Sequence, residues 1–134
     1  MKYKHSNYKY QLTADHWART KIKPLEKIDT GWIVLTVDGR LFIKAGYAWD
    51  GCSGPTIDDK TNMVPGLEHD AKYQLMRLGN LAHGWRDVAD TEFRAGCKER
   101  GMGKIRAWYY YQGVRMFADF ATKPGAEPKE IEVD

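Results

Sequence analysis

The chain changes texture near its middle. Before residue 50 apolar and polar positions alternate on a two-residue period; after residue 63 they recur every three or four residues. The first regime predicts strands and the second helices. "GWIVLTVDGRLFIKAGYAWD" holds two β-rich runs, Trp32 to Val37 and Arg40 to Lys44, around Asp38-Gly39. Asp-Gly between β-branched runs is a strong short-range hairpin signal, so a hairpin is expected there. "YKYQL" and "WARTKI" are weaker strand candidates upstream, with Pro24 ending the second or marking an edge. Three to four antiparallel strands result.

Between the regimes lies "DGCSGPTIDDKTNMVPG", rich in Gly, Pro and Asp, a long connection for a small domain. Leu67, Ala71, Leu75 and Leu78 then mark one face of a helix that Gly79-Asn80 terminates. A second helix is expected from about Trp85 to Glu99. The short connection between them favours antiparallel packing. A third runs from Lys104 to about Phe120. The order of strands first and helices after predicts an α+β fold.

The length of 134 residues fits one domain, here residues 1–121. The remainder, 122–134, lacks apolar periodicity and reads as a flexible acidic tail. From Pro124 onward it carries four acids against Lys129, so the folded part holds about +6 against the formal net charge of +3. That excess favours an anionic partner. No apolar run reaches membrane-spanning length and the N-terminus lacks a signal-peptide core, which predicts a soluble protein made in the cytoplasm. Cys52 and Cys97 have no metal or disulfide spacing and are expected as reduced thiols.

Candidate chemistry gathers on the first helix. In "GLEHDAKYQLMR", His69 and Tyr73 are four apart and Asp70 and Tyr73 three apart, at the margin of the apolar face. "DVADTEF" on the second helix offers Asp90 as a carboxylate to face His69. Such a carboxylate fixes an imidazole's tautomer and stabilises the cation formed when the ring accepts a proton. Asp70 would then ligate a hard cation together with backbone carbonyls of the Gly-rich loop from Trp49 to Gly54. The plainer alternative is that the His-Asp-Tyr group ties two helices together as a buried polar network. Cys52 sits in no recognisable electropositive setting, and "GCSGP" lacks the glycine spacing of a nucleophile elbow.

"GKIRAWYYYQGVRMF" admits two readings. Arg106, Arg115 and Lys104 amid Trp108 and three tyrosines resemble a surface for phosphates and stacked bases. The charges are scattered, however, so nucleic acid is a disfavoured partner. Ile105, Trp108, Tyr109, Met116 and Phe117 recur at helical spacing, while Tyr110, Tyr111 and Val114 cover another side. A helix this apolar is expected in the core or at a subunit interface.

Together "WDGCSGPTID", "HDAKY", "DVADTEF" and "GKIRAWYYYQGVRMF" resemble an uncharacterised family of small bacteriophage and prophage proteins, with a WDGxSxP loop, HDxxY and ADxxF in that order. That likeness implies a phage protein of the host cytoplasm or the virion, with phage or host proteins as partners. More distantly, a Gly-rich loop, HDxxY and ADxxF on an antiparallel helix resemble the secreted and parvoviral phospholipase A-two enzymes. This second resemblance implies a calcium-dependent hydrolase acting on a lipid or other ester. His69 would be the base, with Tyr73 and Asp90 orienting it. Asp70, Asp50, Gly51 and Gly54 would hold calcium. The two cysteines depart from the disulfide-rich secreted members, and Pro55 and Asp50 depart from their glycine-rich loop.

Overall fold

A computed structural model describes residues 1–4, 10–49, 51 and 59–121, with side chains as far as Met116 in the last helix. The loop residues Asp50 and 52–58 and the tail from 122 onward lie outside the described residues. The expected α+β order is found: among the described residues seven short strands precede three helices. Contacts group the described residues into two compact units, one ending at Trp49 and one beginning at Gly51.

The first unit contains both sheets. β3 (His16–Arg19), β4 (Ile28–Asp29), β5 (Ile33–Leu35) and β6 (Arg40–Ile43) form a four-stranded antiparallel sheet in the order β3-β6-β5-β4. The hairpin at Asp38-Gly39 joins β5 to β6, with Leu35 opposite Leu41 and Ile33 opposite Ile43. The Gly39 N–H donates to the Thr36 carbonyl at 3.1 Å. Gly39 itself sits at φ +87°, where a side chain would also collide with the Thr20 carbonyl oxygen. Only glycine closes this turn without strain. Because side chains alternate along a strand, Ile33, Leu35, Leu41 and Ile43 are all buried, whereas Val34 and Phe42 sit on the opposite face.

A second, three-stranded sheet joins β1 (Tyr3–Lys4), β2 (Tyr10–Leu12) and β7 (Ala48–Trp49) in the order β1-β2-β7. Two of these strands are two residues long, too short for periodicity to mark, and the β2–β7 pairing spans most of the unit. Tyr10 and Trp49 pack with ring centroids 5.5 Å apart, and Tyr3 meets Tyr10 edge-on at 5.2 Å.

The second unit is helical. α1 (Met63–Arg77) carries Pro65 in its first turn, where a missing N–H costs little. It ends in a Schellman motif: the Asn80 N–H donates to the Leu75 carbonyl and the Gly79 N–H to that of Met76, with Gly79 at φ +80°. Leu67, Ala71 and Leu75 form the buried stripe. Leu78 departs from the expected stripe because it caps the helix, and it is exposed.

A 3-10 turn (His83–Trp85) leads into α2 (Arg86–Glu99), which buries Ala89, Asp90, Phe93 and Cys97. Pro65 lies near Gly96, whereas Tyr73 lies near Asp90 and Arg86, so the two helices pack antiparallel. α3 (Lys104–Ala121) seats Ala107, Tyr110 and Val114 in a core with Phe93, Cys97 and Met102. Among the described residues no helix is long and apolar enough to cross a membrane.

Candidate functional site between α1 and α2

Asp90 is the centre of the arrangement. It sits on the inward face of α2, three residues before Phe93, and is fully buried. Burying a carboxylate without partners costs several kcal/mol, so the surrounding residues must supply donors. Three side chains do so. The Tyr73 hydroxyl donates to Oδ1 at 2.5 Å, His69 Nε2 lies 2.7 Å from the same oxygen, and Arg115 Nη1 donates to Oδ2 at 3.1 Å. His69 and Tyr73 reach one oxygen because they are one turn apart on α1. Their rings stack at 4.2 Å, and Phe93 closes against the imidazole at 5.4 Å.

This geometry has a consequence for the histidine. An ionised carboxylate is an acceptor only, so the nitrogen facing it carries the proton and the other presents a lone pair. Among the described residues Nδ1 has no hydrogen-bond partner. The ring is nonetheless only 3% exposed. Tyr73 is poised as a donor by the same environment. Burial, and then the hydrogen bond to Asp90, raise its hydroxyl pKa well above the ordinary phenol value, while the neighbouring Arg86 opposes that shift.

Arg115 is absent from the residues that sequence reasoning placed in the site. It reaches from α3 and also donates to Asp87 at 2.6 Å, bridging two carboxylates one turn apart on α2. Its sequence signal was indirect: a carboxylate buried among apolar residues calls for a cation, and α3 offered three. Lys72, also overlooked, is buried on α1 and pairs with Glu92 at 2.9 Å.

The cation side of the expected site is described only in part. Asp70 is a buried carboxylate immediately after His69. Gly51 has φ +88°, a conformation that favours glycine. The other expected loop ligands, Asp50 and Gly54, lie outside the described residues. Among the described residues no three His, Cys, Asp or Glu side chains converge as a metal-binding group. Asp70 and loop carbonyls are the oxygen donors that a hard cation takes. Cys97 is buried in the core beneath α3, and burial pushes its thiol up to about 12, which makes it a packing residue rather than a nucleophile. Comparison of the chain with family models, curated proteins and solved structures finds no match.

Proposed function

We propose that the chain is a small phage or prophage hydrolase in which His69 acts as general base, with a phospholipid or related ester as substrate. The observation that carries this reading is the pair of unlike ring nitrogens. Nε2 is held by the buried Asp90 at 2.7 Å, and Nδ1 has no hydrogen-bond partner among the described residues. A histidine so placed takes a proton from water at Nδ1 as the water oxygen bonds to the ester carbonyl carbon. Asp90 stabilises the imidazolium that forms. When the carbon–oxygen bond to the alcohol breaks, the same Nδ1 proton passes to the departing oxygen, leaving acid and alcohol. Tyr73 and Arg115 act one step back, fixing Asp90.

Asp70, with Gly51, Asp50 and Gly54, would hold calcium, which when bound stabilises the negative charge developing on the carbonyl oxygen. The test is calcium-dependent hydrolysis of a phospholipid or activated ester by wild type and by His69→Gln. Loss of a general base lowers turnover by about 10²–10⁴-fold. Activity that disappears in a variant with native stability supports the proposal; inactivity of both proteins, with a large stability loss in the variant, sinks it. Calcium is expected to raise the melting temperature of wild type and not of Asp70→Asn.

A second reading has its own observation. The imidazole is nearly buried, and Asp90 binds donors from both neighbouring helices, as a structural network would. On that reading the protein is a non-catalytic phage accessory protein, a virion or tail component or an inhibitor of host machinery. His69→Gln would then change stability alone.

A further inference from the structure

α3 has two apolar sides, and the core uses one. Ala107, Tyr110 and Val114 are buried against Phe93, Cys97 and Met102. On the opposite side Ile105, Tyr109 and Met116 are 86%, 58% and 73% exposed, with Trp108 at 49% beside them. At 3.6 residues per turn these four fall within an arc of about 100°, directly opposite the buried three. A contiguous row of large apolar side chains facing outward marks an interaction surface rather than scattered exposure.

Charge selects the partner. By the same angular count Lys104 borders the exposed face on one side, with Arg115, and Arg106 borders it on the other. Lys98, in the last turn of α2, and Arg100, in the turn leading into α3, are both exposed. Glu99 is the only acid between residues 98 and 116. Arg106 is engaged with Asp59 at 2.5 Å and Arg115 with Asp87 and Asp90, so Lys98, Arg100 and Lys104 carry most of the outward attraction.

The geometry points to the outer face of α3 as a docking surface for an anionic lipid bilayer, with the helix lying in the interface plane. Ile105 and Met116 enter the acyl boundary, the amphipathic rings of Trp108 and Tyr109 sit at headgroup depth, and the flanking Lys side chains extend to lipid phosphates. A second copy is a poorer occupant, because two such faces would bring cation against cation. Docking does not depend on the hydrolytic reading: His69→Gln binds vesicles as wild type does, so failure of catalysis and failure of docking are separately visible.

The test is co-sedimentation of the full chain with vesicles of mixed phosphatidylglycerol and phosphatidylcholine, and with phosphatidylcholine alone. Wild type is expected to bind the anionic vesicles more tightly, and to release them as salt approaches about 1 M, where screening shortens to about 3 Å. Ile105→Ser with Met116→Ser removes two solvent-facing side chains, so the melting temperature holds while binding falls at least about tenfold. Absence of binding by wild type overturns the proposal, as does equal binding by the double variant. So does a wild-type dimer that the double variant fails to form while both ignore vesicles; that result assigns the face to a second copy.

Discussion

Replacing Asp90 by Asn changes one atom's chemistry at the point where three helices are tied together. The carboxylate accepts from Tyr73 and His69 through Oδ1 and from Arg115 through Oδ2. An amide of the same shape has one acceptor oxygen and one NH2 group. In one orientation the NH2 opposes the Arg115 guanidinium; in the other it opposes the hydroxyl and imidazole donors. Hydrogen bonds to charged groups contribute about 1.5–3 kcal/mol each. The Arg115 contact counts for less, because that side chain is 35% exposed and solvent screens it. With partial rearrangement of the hydroxyl and ring protons, a net loss of about 3 kcal/mol is expected. That is a large share of the ~5–15 kcal/mol that holds a domain together. Urea unfolding followed by circular dichroism reads it as a lower midpoint at unchanged slope. Removing the stranded cation by Arg115→Met in the Asp90→Asn background should recover part of the loss, a coupling that a double-mutant cycle measures. A loss below about 1 kcal/mol, or none recovered by the second substitution, would refute the view that Asp90 is the charged hub of this unit.

Two further outcomes rest on the same unit. Tyr73→Phe removes one donor to Asp90 and is expected to cost about 1.5–3 kcal/mol at neutral pH. The folded-state pKa of Tyr73 is raised, so the stability it adds is full below the ordinary phenol value of 10.0 and fades as pH rises beyond it. Wild type and variant should therefore converge in strongly alkaline solution, and a gap that stays constant there would contradict the assigned environment. Cys97, with its thiol pushed to about 12, should react with a disulfide reagent in a Cys52→Ser background only at the rate of unfolding; fast labelling of the native protein would show that this part of the helical core is open.

How far the sequence could be read depended on the range of each interaction. The β5–β6 hairpin was legible because its cause is local: Asp38-Gly39 fixes the turn, and alternation on either side fixes which residues face inward. β1, β4 and β7 were not, since strands of two residues carry no period and exist through their pairing partners. The antiparallel meeting of α1 and α2 could be read from their short connection and polar margins. Leu78 was misplaced because an apolar residue continued the helical count into the cap, where Gly79 had already turned the chain. α3 showed the limit of periodicity most clearly. Two apolar faces were visible, and the one marked by Ile105, Trp108, Tyr109 and Met116 turned outward. The small Ala107 with Tyr110 and Val114 fits the space beside Phe93 and Cys97, a fact about the neighbouring helix rather than about α3. Arg115 was missed for a similar reason, being 25 residues from Asp90 in the chain.

Asp90, 2.7 Å from Nε2, holds His69 with its proton on that nitrogen and its lone pair on Nδ1. Nitrogen-15 NMR of the imidazole reports this directly, through the distinct shifts of protonated and unprotonated ring nitrogens. The expected spectrum at neutral pH has a protonated Nε2, slow to exchange because it is buried against Asp90, and an unprotonated Nδ1. Asp90→Asn should disturb that pattern. A neutral ring protonated at Nδ1, with Nε2 accepting, would contradict the assignment and leave His69 without the base the proposed reaction requires.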